Sequence, residues 1–141
     1  MPAPGTESHP RRVEGQRVVR VVPDLPAVDK VFDYSVPESM DSDVRVGTLV
    51  RIALQGRRVG GWVVEDFVEP PEGVKVRPLA KVTGRGPAPE VIQAARWAAW
   101  RWAGPLALLL RTASPPAAVR GLPAPAPRSP LAPGPADELA E

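Results

Sequence analysis

The sequence predicts a mainly β domain with two short helices at its C-terminal end. Three observations carry that class. Valine-rich, β-branched runs recur between residues 17 and 69, as in strands that bury one face. From Pro89 the apolar period becomes helical. Pro supplies 20 of the 141 residues and crowds the stretch after Ser114, against an average near ~5%. A chain end of that composition cannot bury enough apolar surface to offset its ordering entropy.

Residues 1–16 read as a disordered leader. "RVVRVV", 17–22, is the first strand, stopped by Pro23, and "VFDYSVP", 31–37, is the second. "MDSDVRVG" is a polar connection. "TLVRIAL", 48–54, alternates Leu49, Arg51 and Ala53 against Val50, Ile52 and Leu54. "QGRR" is a tight turn, so this third strand and "VGGWVVEDFVE", 59–69, form a β-hairpin. Gly60-Gly61 inside the fourth strand signals a bulge or a close backbone approach. "PPEGVKVRP", 70–78, is a loop, and "LAKVT", 79–83, is a fifth strand.

"PEVIQAARWAAWRWAGP" opens with Pro and Glu and stops at Gly104-Pro105, with Val91, Ala94, Ala95, Ala98 and Trp102 at helical spacing. "LALLLRTA", 106–113, is a second helix. So few short strands close naturally as a small OB-like β-barrel of four to five strands. A sheet covered on one face by the helices is the other solution. The division that follows is a leader (1–16), a barrel (17–87), a helical extension (88–116) and a Pro/Ala-rich tail (117–141).

Composition removes several kinds of chemistry. There are no cysteines and one histidine, His9, so thiolate metal sites and Cys nucleophiles are out and no metal site is expected. No G-x-x-x-x-G-K-S/T loop, nucleophile elbow or H-E-x-x-H helix occurs. The chain therefore reads as a binding module, not an enzyme on its own. No run of about 18 apolar residues and no signal peptide is present, which points to the cytoplasm and away from a membrane. Between Arg11 and Arg120 there are 17 Lys plus Arg against 12 Asp plus Glu, a mildly basic body that suits a polyanion without demanding one.

Within the second strand an acid, Asp33, sits between Phe32 and Tyr34. Asp is depleted in strands because its short side chain competes for backbone hydrogen bonds. Either Asp33 makes a structural hydrogen bond or it faces a pocket. Alternation places Phe32 and Tyr34 together on one face, mainly core, with Asp33 on the other. Arg57 and Arg58, at the exit of the turn, suit a solvated turn and a phosphate contact equally. Trp62 reads as core or rim packing. Trp97, Trp100 and Trp102 read as packing for the barrel or for a following domain, ahead of a base-stacking role.

Taken in order, "RVVRVVPDLPAVDKVFDYSVPESM", "VRVGTLVRIAL", "RVGGWVVE", "VRPLAKV" and "EVIQAARWAAWRWAGPLALLLRTASPP" resemble the N-terminal domain of primosomal protein N′ (PriA), the replication-restart helicase family. The likeness covers about residues 17–116, and "FDY.VPE" is its most specific piece. It implies an OB-like barrel that binds the 3′ end of the nascent leading strand at a stalled fork. The implied 3′-end pocket comprises Phe32, Asp33, Gly56 and Arg77, with Arg57 and Arg58 as candidate phosphate contacts. Where the family usually has Pro-Phe-Gly-Lys, this chain has Ala53, Leu54 and Gln55 ahead of Gly56, and Arg77 stands in for a usual Lys. The implied partners are DNA, the single-strand-binding protein and primosome proteins. The family's ATP-driven motor and zinc-binding insertion have no counterpart in these 141 residues, so no cofactor is expected and the chain reads as a truncated form. Its Arg/Ala/Pro-rich composition is that of actinobacterial members. A small-barrel RNA or tRNA binder, or a protein-contact remnant without DNA binding, are the rival readings.

Overall fold

The structure, a computed structural model, describes residues 16–70 and 72–120. Nearly all of the expected leader, and the tail beyond residue 120, lie outside the described residues. The elements are β1 (Val18–Pro23), β2 (Phe32–Ser35), a 3-10 turn (Glu38–Met40), β3 (Leu49–Leu54), β4 (Arg57–Glu65), β5 (Arg77–Pro78), β6 (Lys81–Gly84), α1 (Pro89–Trp102) and α2 (Leu106–Ala113).

One six-stranded sheet runs in the order β5-β2-β1-β4-β3-β6. All neighbouring pairs are antiparallel except β2 with β5. The outermost strands are consecutive in sequence, which makes the sheet curl. Leu79 N donates to Ser35 O at 3.0 Å and Ala80 N to Arg51 O at 2.9 Å. Segment 77–84 thus bonds to β2 at one end and β3 at the other, drawing the two edges together and leaving few unpaired edge groups. The predicted OB-like barrel is the observed fold, with six strands instead of four to five. The extra strand, β5, lies in the stretch expected to be a loop. Its two residues carry no alternation and end in Pro, so nothing in the sequence marked them as a strand.

Alternation divides the apolar residues between two cores. Val19, Val21, Tyr34, Val50, Ile52, Val63 and Leu79 fill the inside of the curl. Tyr34 keeps its hydroxyl satisfied there by donating to Ala53 O at 2.8 Å. On the outside, Val22, Trp62 and Val64 pack beneath Ile92, Ala95, Ala107 and Leu110 of the helices. The indole N–H of Trp62 donates to Ser114 Oγ at 2.8 Å, as a buried Trp requires. At Gly61 the close approach foreseen from the sequence is real: a Cβ would lie 2.7 Å from Val21 Cγ1 and 2.8 Å from Val22 O. A bulge does occur in this strand but farther along: Arg20 pairs with Glu65 and Val21 with Val63, which leaves Val64 as the extra residue on β4.

The buried face of α1 differs from the predicted one. Ile92 and Ala95 are buried, whereas Val91, Ala94 and Trp102 are exposed. Trp97 and Trp100 are exposed as well, so none of the three helix tryptophans packs on the barrel. Trp97 and Trp102 meet edge to face, with ring centroids 5.4 Å apart. In an alanine-rich helix small residues flank every stripe, so the apolar period fixes the helix without fixing its phase. The outward tryptophans then mislead a count weighted by hydrophobicity.

Candidate nucleic-acid interface

At one mouth of the curl, three segments meet around a cavity of about 580 Å³. β2 contributes Phe32, Asp33 and Tyr34, the β3–β4 hairpin contributes residues 53–56, and the run into β5 contributes residues 74–77. The volume lies within the usual range for ligand clefts. Four residues singled out from the sequence, Phe32, Asp33, Gly56 and Arg77, all line it. Arg57 and Arg58 do not; they lie exposed just past the hairpin tip.

The strand period sets the facing of β2. Phe32 packs against the inner core and Tyr34 is buried in it. Asp33 faces the other way and pairs across the sheet with Arg20. Arg20 Nε donates to Asp33 Oδ1 at 3.0 Å, and Arg20 Nη1 donates to Glu65 Oε2 at 3.1 Å. Glu65 Oε1 accepts in turn from Arg96 Nη2 at 2.8 Å. The hydrogen bond to Asp33 is the chief reason that the Arg20 guanidinium is held charged beyond its ordinary range. Asp33 is therefore both an ion-pair partner and part of a cavity wall. Its side chain is 16% exposed, and among the described residues its Oδ2 accepts no hydrogen bond.

Gly56 occupies the tip for a conformational reason. Gln55 and Gly56 both have positive φ, 50° and 75°, which is the two-residue type I′ turn that matches strand twist. A Cβ on Gly56 would meet nothing within 4 Å, so the space beside it is open. Arg77 pairs with Tyr34 in the parallel register. Its positive charge favours the ionised phenol, but burial outweighs it and pushes the Tyr34 hydroxyl above its ordinary value.

Two cavity residues were not foreseen. Arg20 is a cation inside "VVRVVP", as anomalous in its strand as Asp33 is in its own. Lys75 alternates with Arg77 in "VKVRP", a spacing that puts both on one side of an extended segment. With them the wall holds three cations, Arg20, Lys75 and Arg77, against one carboxylate, Asp33. Apolar surface from Val31, Leu54 and Val74 completes it. Such a lining suits an anionic ligand with an apolar or planar body and one hydroxyl donor.

Among the described residues there is no group of three or more His, Cys, Asp or Glu able to hold a metal ion, and no helix long and apolar enough to cross a membrane. No curated protein matches the chain at a significant level. The family model of the PriA 3′ DNA-binding domain (3′BD) does match, over residues 20–115, a span that takes in the barrel from Arg20 on, the cavity and both helices. With most of its length in that match, this chain belongs to the PriA 3′ DNA-binding domain family, and its partner is DNA.

Proposed function

We propose that the domain recognises the 3′-hydroxyl end of a nascent leading strand at a stalled replication fork, with Phe32, Asp33, Gly56 and Arg77 forming the end-binding pocket. The observation that carries this reading is the Asp33 carboxylate at the cavity wall, with one oxygen tied to Arg20 and the other without a protein donor among the described residues. An ionised carboxylate only accepts hydrogen bonds. It can take the proton of a terminal 3′-OH in a charge-assisted bond. A strand that continues places a phosphate there, which offers no proton and is repelled. The same group thus favours an end and disfavours an interior position.

Arg20 holds the carboxylate in place through its Nε. Phe32 and the apolar wall suit the terminal base and sugar, and the open space at Gly56 admits close approach of the ligand. Lys75 and Arg77 are placed to meet the last phosphates. In this role the domain serves replication restart as a recognition element. Contacts with the single-strand-binding protein and primosome proteins belong to the same proposal, and the exposed tryptophans of α1 are the surface to mutate for them.

Fluorescence anisotropy with oligonucleotides ending in 3′-OH or 3′-phosphate tests the pocket. The 3′-OH strand is expected to bind more tightly. Asp33→Asn should weaken its binding by about 2 kcal/mol, the worth of a hydrogen bond to a charged group, and should narrow the gap between the two ends. Equal binding of both ends by the unaltered protein would refute end recognition.

A further inference from the structure

The outer face of β3 and β4 is divided. Toward one end Leu49 and Trp62, paired across the strands, lie under the helices. Toward the other end the paired positions are Ala53 with Arg58 and Arg51 with Gly60, and β6 adds Lys81 directly opposite Arg51. Val50, Ile52, Val59 and Val82 pack on the inner core, so the alternation places Arg51, Arg58 and Lys81 together on the outside. All three are exposed. Like charges on directly opposed strand positions are unfavourable, and among the described residues none of these three has an acidic partner. Among the described residues the ion pairs are instead made by Arg17, Arg20, Arg96 and Arg111.

The stripe has a direction. Ala53, the pairing partner of Arg58, already lines the end-binding cavity. From there the cations step across two strand spacings, roughly 10 Å, and about 7 Å along β3. Lys81 then lines a second cavity of about 360 Å³ that also holds Arg45, Arg85 and Arg120, with Asp43 as its acid. A row of unpaired cations between a pocket for a terminal nucleotide and a second basic cavity is a track for a polyanionic chain.

We propose that the outer face of β4, β3 and β6, through Arg58, Arg51 and Lys81, carries the phosphate backbone of the single strand lying 5′ of the terminal nucleotide. This rests on the end-binding reading for its starting point and adds a contact surface with a different signature. Backbone neutralisation is independent of sequence and of the chemistry at the strand end, and it is steeply salt-dependent.

The test compares the full chain with Arg51→Gln/Arg58→Gln/Lys81→Gln, using a dinucleotide and a 12-nucleotide oligonucleotide, each with 3′-OH or 3′-phosphate. The triple variant should bind the 12-mer at least 10-fold more weakly at low salt, with both ends affected alike. The slope of log K against log salt should become shallower by about 2, at roughly 0.7 per phosphate for single strands. Dinucleotide binding and the ratio between the two ends should not change. Arg51→Lys/Arg58→Lys, which keeps the charge, should retain the original slope, and a second thermal melt on each variant confirms the fold. An unchanged slope in a folded triple variant overturns the track. Retention of the full 3′-OH preference in Asp33→Asn, with the slope still shallower in the triple variant, overturns the pocket and leaves the track, so the two readings fail separately.

Discussion

Arg17 and Arg20 stand close together at the start of the barrel, and each gathers acids from distant segments. They end in opposite conditions. Arg17 donates to both oxygens of Asp66, to the carbonyl and carboxylate of Asp41 and to the carbonyl of Val44, at 2.5 to 3.1 Å. Asp66 is equally committed, since Oδ1 also accepts from Phe67 N at 2.8 Å, and the guanidinium lies over the Phe67 ring, 5.1 Å from its centroid. The Arg20 cluster is left incomplete. Among the described residues Arg20 Nη2 donates to nothing and Asp33 Oδ2 accepts nothing. Both are arginine–carboxylate pairs, one just ahead of β1 and the other within it, yet one closes a network and the other leaves a donor and an acceptor at a cavity. The difference separates an ion pair that holds loops in place from one that, in the proposed role, presents a charge to a ligand.

The largest expected effect tests the closed side. Arg17→Met removes the partner of an Asp66 carboxylate whose side chain is only 17% exposed, and it strands the carbonyls of Asp41 and Val44. Breaking a pair of this kind leaves an uncompensated, partly buried charge, at a cost of about 3 kcal/mol. Urea denaturation should show that loss as a lowered midpoint with unchanged slope. The preference for a 3′-OH end should survive in whatever fraction stays folded. If the midpoint hardly moves, the Arg17 network is only a solvated surface cluster and the contrast with Arg20 dissolves.

Arg20→Gln tests the open side, with the sizes reversed. Arg20 itself is less buried than Arg17, its side chain 31% exposed against 14%, it holds no backbone carbonyl among the described residues, and Glu65 keeps Arg96. A stability loss of about 1 kcal/mol is expected, in the range of partly exposed pairs. The ratio of 3′-OH to 3′-phosphate affinity should fall several-fold, because Asp33 is no longer held in one rotamer. A stability loss as large as that of Arg17→Met, with end preference intact, would mean that both arginines only brace the fold.

This contrast also shows how far the sequence could be read. Asp33 was conspicuous because an acid is out of place between two strand aromatics, and the β3–β4 hairpin was plain because "LQGR" carries its own turn chemistry. Arg20 is as conspicuous in "VVRVV" but was passed over, since its meaning depends on register. The β1–β2 connection, residues 24–31, is too long for turn geometry to fix which residues face one another. That Arg20 lands opposite Asp33 is set by the core alternation of both strands together. Lys75 was missed for a related reason: it lies in a segment without strand character that becomes a cavity wall only once β5 docks beside β2. The local pieces of the site were thus legible, and the pairings that assemble them were not.

The smallest expected effect on stability isolates the cavity from the fold altogether. Gly56 contributes no side chain, ion pair or core contact, only a backbone at φ 75° beside open space. Asn tolerates that left-handed geometry better than other side-chain-bearing residues and is favoured in type I′ turns. Gly56→Asn should therefore cost no more than about 0.5 kcal/mol in urea denaturation, whereas Gly56→Ala, strained at positive φ, should cost about 1 kcal/mol. Binding should rank otherwise. Both variants put atoms into space that the ligand is proposed to use, so both should weaken the 3′-OH strand, and Asn, the larger, should weaken it more than Ala. Opposite orders for stability and affinity can arise only if the space at the hairpin tip is occupied by ligand and not by protein. Matching orders would mean that Gly56 serves the turn alone, and the cavity would then lose its floor.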